Sequence, residues 1–152
     1  HPGRNEASPL EAMAVVTDAG GDPARTIVGH IDRTLFDQDD MIELARTGCY
    51  VEFDLFGQES SHYAFAPIDM PNDATRIDYL QRLIAEGFGD RLLIAQDICH
   101  RTALVHYGGE GYCHIPQNVV PIMRRKGMTE SEIDAILIDN PARILPMVPP
   151  AQ

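Results

Sequence analysis

Basic residues are scarce in this chain, 12 Lys and Arg against 23 Asp and Glu, and the net charge of -11 disfavours polyanionic partners. Such a surface repels nucleic acid and anionic membrane alike. Long apolar runs are missing too: Ala12 to Val16 and Ala135 to Ile138 fall far short of the roughly 20 residues that cross a bilayer. No charged n-region leads into an apolar h-region, so no secretory leader is expected. Cysteine is limited to Cys49, Cys99 and Cys113, odd in number and scattered, which argues against a disulfide framework and fits a reducing, cytoplasmic compartment. They read as plain core or loop residues. Gly108-Gly109-Glu110-Gly111 lacks the Lys and the strand-turn-helix setting of a phosphate loop, so a nucleotide site is not expected. An initiator Met is absent as well, and the chain is expected to be processed, truncated or a piece of a longer one.

What remains is 152 residues, 44% of them apolar and 23% charged, enough for one globular domain over 1–152 with a real core. Ser8-Pro9-Leu10-Glu11 reads as a capping box opening a helix over about 9–19. The apolar run Thr26 to Gly29 reads as a strand closed by His30, and Asp37, Asp39 and Asp40 open the helix that follows. Cys49 to Phe53 is a second strand closed by Asp54; Arg91 to Gln96 is a third, closed by Asp97. Between them, Asn72 or Asp73 caps a helix with an Ile77, Leu80, Ile84 stripe. The connections 55–72 and 98–117 are long and of the kind kept for function. Two more helices are predicted, over about 118–126 and from the capping box at Thr129 to Glu132 as far as about Asp139, before a Pro-rich tail at 146–150. Strands separated by helices must run parallel with right-handed crossovers. Three such units make almost half of an eight-stranded barrel, so the expected fold is α/β, the C-terminal half of a (β/α)8 TIM barrel.

In that architecture the carboxyl ends of all strands meet on one face. His30 and Asp97 end strands, and His1 stands before the first helix, where a strand end is expected if the chain continues upstream. Two imidazoles and a carboxylate suit a catalytic divalent metal with an open position. Water bound there falls from a pKa near 16 to roughly 7, and Asp97 could accept its proton. The same residue types also cap helices and satisfy turns. Asp32 and Arg33 come just after His30 and read either as a carboxylate that orients a metal ligand from behind with a binder for an anionic substrate group, or as a solvated ion pair. His100, His106 and His114 are expected to face solvent from their loop.

His1-Pro2-Gly3-Arg4, Gly29-His30-Ile31-Asp32-Arg33-Thr34, Asp69-Met70-Pro71, Gly89 to Asp97, Tyr107 to Ile115 and Asn140-Pro141 together resemble the phosphotriesterase family of the amidohydrolase superfamily, in particular its phosphotriesterase-related branch. The resemblance covers nearly the whole chain. It implies a distorted (β/α)8 barrel holding two divalent metal ions, usually zinc. It also implies that His1, His30 and Asp97 are ligands after the fifth, sixth and eighth strands, with Asp97 doubling as proton acceptor. The family's His-x-His pair and bridging Lys or Glu have no counterpart here, so a complete site needs the missing N-terminal half. The resemblance further implies a small-molecule substrate, and a homo-oligomer is compatible with it. Where the phosphotriesterases proper carry an Asp and a His that assist proton removal, this chain has Arg33 and Leu55, which puts efficient organophosphate hydrolysis in doubt. Arg33 suits an anionic substrate, such as the N-acyl amino acids and N-acetyltaurine-like amides associated with the related branch. The expected function is therefore amide hydrolysis by a metal-bound hydroxide. Phosphotriester or lactone hydrolysis on the same metals, an iron oxygenase facial triad, a copper site on His1 and a catalytically incomplete interaction module remain as alternatives. A half barrel that exposes its inner face is expected to be only marginally soluble.

Overall fold

The structure, a computed structural model, describes residues 1–146; of the Pro-rich tail assigned to 146–150, all but Pro146 lies outside these residues. Three short strands, β1 (Ile27–Val28), β2 (Tyr50–Phe53) and β3 (Leu92–Ile94), form one parallel sheet in the order β1-β2-β3. Val28 lies opposite Val51, Val51 opposite Leu92, and Phe53 opposite Ile94. Parallel neighbours require a crossover, and helices α2 (Gln38–Arg46) and α3 (Asp73–Ala85) supply the two. Helix α1 (Ser8–Asp18) precedes β1. Helices α4 (Val120–Arg125), α5 (Glu130–Asp134) and α6 (Asn140–Ile144) follow β3. Each strand is shorter than its apolar run suggested: ladder pairing ends at Val28, Phe53 and Ile94, before His30, Asp54 and Asp97 are reached.

Helices α2 and α3 each bury one apolar stripe in the core they share with the sheet. Met41, Leu44 and Ala45 of α2, together with Ile77, Leu80 and Leu83 of α3, close over Val51 and Phe53, all of them buried. Asp37 and Asn72 cap these two helices as the sequence suggested, accepting from the backbone N–H of Asp39 and Thr75. Asn140, fully buried, donates both amide hydrogens to the carbonyls of Gly89 and Leu92 at 2.9 Å each, which pins α6 to the start of β3.

Three helix ends differ from expectation. Ser8 is already helical and caps nothing; Asn5 makes the turn one step earlier, its Oδ1 accepting from Ala7 N and its carbonyl from Ser8 Oγ. The box at Thr129 does form in both directions, but its helix does not stop at Asp139. It continues through a wide π turn, Ala135–Asp139, into α6, and a matching turn at Ile115–Val119 starts the preceding helix ahead of residue 118. Each π turn runs up to a proline, Pro121 or Pro141, whose missing N–H breaks an ordinary α ladder and is accommodated by the wider turn. Among the described residues no helix is long and apolar enough to cross a membrane.

The glycine-rich loop is folded tightly against the turn Arg101–Ala103. A Cβ on Gly109 would lie within 2.4 Å of the Ala103 backbone, which cannot swing aside. Gly109→Ala is expected to destabilise the fold by about 1–3 kcal/mol, as overpacking does, and urea denaturation of the two proteins side by side measures it.

Candidate active site

His30 and Asp97 are the two non-glycine residues with positive φ among the described residues, at 56° and 42°. His30 lies two residues past the end of β1 and Asp97 three past the end of β3, and such backbone strain in L-residues persists only where the surroundings hold it. The turn at His30 brings its ring against His1, the centroids 4.4 Å apart and the planes at 72°. Asp54, at the end of β2, receives His30 from two sides: ring Nδ1 lies 2.8 Å from Oδ1, and the backbone N–H points at both oxygens from 3.1 Å. This approach requires a glycine next door. A Cβ on Gly29 would sit 2.8 Å from Asp54 Oδ2 and 3.0 Å from Glu52 Oε2.

The electrostatics follow from crowding. Burial, reinforced by the charge of Asp32, pushes the Asp54 carboxyl up to about 7. Burial likewise raises Glu52, with Asp54 adding to the effect, and raises Asp32. His30 moves down, through burial and then the guanidinium of Arg33, so it is held neutral. With Nδ1–H donating to Asp54, Nε2 keeps its lone pair and has no protein partner among the described residues.

Asp32 and Arg33 are not the solvated pair that adjacency allows; they are 0% and 3% exposed and point to different partners. Asp32 Oδ2 accepts from Arg76 Nε at 2.7 Å and from Leu55 N at 3.0 Å, while Oδ1 is buried without a partner. Arg76, fully buried, also reaches Asp73 Oδ1 and the carbonyl of Gln58, each at 2.8 Å. Asp73 in turn meets His114 Nε2 at 2.6 Å. This corrects the reading of His114, which is buried, while His100 and His106 are exposed as expected. Arg76 escaped notice in the sequence. Its one local sign is a charged residue set on the apolar stripe of α3, three places after Asp73.

Arg33 has a different environment. Its hydrogen-bond partners among the described residues are Thr34 Oγ1 at 3.4 Å and His1 Nε2 at 3.5 Å, and no carboxylate there lies within ion-pair distance. Arg33, His1, His30 and Asp97 line one open pocket of about 210 Å3, walled by Gln58 and Phe65. The predicted site residues thus share a pocket. They do not close on a single point: among the described residues no three His, Cys, Asp or Glu side chains form a group able to hold a metal ion. The donor chemistry nevertheless fits a divalent cation. A neutral imidazole with a free Nε2, an orphaned carboxylate oxygen on Asp32 and carboxyls raised by burial, with neighbouring carboxylates adding to it at Asp54 and Glu52, are what a cation would relieve.

A parallel sheet with helical crossovers, and a pocket at the carboxyl ends of its strands, define a partial α/β barrel with its candidate site on the usual face. The sequence profile of the Phosphotriesterase family matches residues 1–145. The chain belongs to that family. It is 49% identical over 146 residues to the N-acetyltaurine hydrolase of Bos taurus, covering 95% of this chain and 42% of that protein. The N-acetyltaurine hydrolase of Dictyostelium discoideum is 46% identical, with 97% and 40% covered. Among solved structures, a resiniferatoxin-binding protein from Rhodobacter sphaeroides superposes with a TM-score of 0.85 at 26% identity over 90% of this chain and 38% of that one. The phosphotriesterase homology protein of Escherichia coli, complexed with phosphate in its active site, gives 0.75 at 30% identity over 88% and 43%. The chain therefore spans about two-fifths of the length of the relatives it matches.

Proposed function

We propose that this chain supplies one wall of a metal-dependent amide hydrolase whose substrate is a small N-acylated acid of the N-acetyltaurine type. The observation that carries the reading is Arg33: a buried guanidinium without a carboxylate partner among the described residues, facing the pocket shared by His1, His30 and Asp97. A buried charge without a counter-ion is costly, and a sulfonate or carboxylate on the substrate would complete it with charge-assisted hydrogen bonds. The names of the relatives support the same substrate class.

His1, His30 and Asp97 would hold the cation, with the remaining ligands contributed by residues outside this chain. When bound, a divalent ion such as zinc supplies Lewis acidity toward the amide carbonyl and the attacking water. Asp54 fixes the tautomer and the ring plane of His30. Asp97 takes the proton of the attacking water and returns it to the departing amine nitrogen. Arg33 anchors the acid head so that the amide lies over the histidine pair.

Arg33→Met in the full-length protein is expected to raise KM for N-acetyltaurine by roughly 10- to 100-fold, the loss of a charge-assisted contact. KM for a neutral N-acetyl amine of similar length should hardly move. Equal losses on both substrates would remove the anion-binding role. A parallel set of amide, lactone and phosphotriester substrates tests the reaction class, and faster turnover of either ester would replace the amide reading.

A further inference from the structure

Asp97 sits in a strained turn, and a φ of 42° in a residue with a side chain needs support from its surroundings. Within the turn, the carbonyl of Asp97 accepts from Cys99 N at 2.8 Å. From outside, among the described residues, the side chain of Gln58 reaches it. Gln58 Nε2 donates one hydrogen to the carbonyl of Gln96 at 3.1 Å and the other to the carbonyl of Asp97 at 3.3 Å. The amide nitrogen has two donors, and both are spent on successive carbonyls of this turn.

Gln58 is itself fixed from behind. Its backbone carbonyl accepts from Arg76 Nη2 at 2.8 Å, and its backbone N–H donates to the carbonyl of Leu55 at 2.9 Å. Arg76 holds Asp32, and Asp32 belongs to the short helical turn that starts directly after His30. A continuous set of short bonds thus runs from the His30 turn through Asp32, Arg76 and Gln58 to the Asp97 turn. Both ends carry positive φ. Gln58 also lies on the wall between the pocket of His1 and His30 and a neighbouring pocket of about 290 Å3, and Asp97 lines both.

We infer that Gln58 is a positioning residue, which sets the place and direction of Asp97 relative to His30. The inference rests on the hydrolase reading for its functional half and on geometry for its structural half. A carboxylate that must accept a proton from one atom and return it to another tolerates little misplacement; an error of about 1 Å can cost on the order of a hundredfold in rate. The clamp reaches Asp97 through its backbone, so it constrains the side chain without occupying the pocket around it.

The test uses the full-length protein and three substitutions. Gln58→Met removes both donors at similar volume, Gln58→Glu turns an acceptor toward the two carbonyls, and Gln58→Lys keeps a donor. Amide hydrogen exchange over residues 95–100 is expected to speed up roughly tenfold in Gln58→Met, the equivalent of losing one or two net hydrogen bonds, and more in Gln58→Glu. Gln58→Lys should return it toward the parent rate, and exchange within α3 should stay as it was in all three. Parental exchange over 95–100 in both Gln58→Met and Gln58→Glu overturns the clamp, whatever the activity. On the anionic amide, kcat should fall roughly 10- to 100-fold in Gln58→Met with KM held. Faster exchange with parental kcat overturns the positioning role and leaves the hydrolase reading intact. If the parent protein turns over no N-acylated acid, the hydrolase reading fails; if Asp97→Asn keeps turnover, only the proton role of Asp97 fails; in either case the exchange rates alone decide whether Gln58 holds the turn.

Discussion

Arg76→Met is expected to destabilise the protein by about 3–5 kcal/mol, the cost of leaving a buried charge without its partner. Here two carboxylates lose it together. Asp32 and Asp73 have side chains 0% and 5% exposed, and each is bonded to a different nitrogen of the same guanidinium. Asp32 is the worse case, because its Oδ1 already has no partner and burial already raises its carboxyl. Without Arg76 it can be accommodated only by taking up a proton. Three backbone points would loosen as well. The carbonyl of Gln58 loses its donor, the N–H of Leu55 depends on Asp32, and the N–H of Gly57 depends on Asp73. Arg76→Lys restores the charge but not the planar fork, so it should recover only part of the loss. Urea denaturation of the three proteins gives the ranking. A midpoint for Arg76→Met within error of the parent would show that the cluster contributes nothing to stability.

The legible part of this molecule is the part written in local pattern. Apolar runs closed by His30, Asp54 and Asp97 mark strand ends because a polar side chain ends the apolar run there, and Asp37 and Asn72 mark helix starts because their side chains replace missing backbone bonds. Parallel order then follows from alternation alone. What the sequence hides is pairing at a distance. Arg76 meets Asp32 across 44 residues and His114 meets Asp73 across 41, and no periodicity links such partners. His114 follows the exposed Tyr112 and Cys113 at the very start of a helix, so the loop leading to it points the wrong way. The strain at His30 and Asp97 is hidden for another reason: positive φ is read from glycine, and neither residue is glycine. The site is therefore half legible. Its chemical groups can be named from the sequence, while the bonds that aim them appear only in three dimensions.

On the proposed hydrolase reading, Asp97→Asn in the full-length protein is expected to lower kcat on N-acetyltaurine by roughly 100- to 10,000-fold, the range that positioned acid–base groups contribute. The substitution is nearly isosteric and keeps the turn, since the bonds that hold it run through backbone carbonyls and Gln58 and not through the carboxylate. The fold should therefore survive, and the melting temperature in the same preparation checks that. KM should change little, because the acid head of the substrate is assigned to Arg33, another residue of the same pocket, and not to Asp97. Such a pattern would separate the two proposed roles: Arg33→Met should weaken binding, and Asp97→Asn should slow the step after binding. A carboxamide cannot accept the water's proton at neutral pH, so added small bases should restore part of the rate in Asp97→Asn and none in Arg33→Met. Near-parental kcat in a folded Asp97→Asn protein would assign the proton to another group, and the neighbouring carboxyl of Asp54, raised to about 7, would be the next to test.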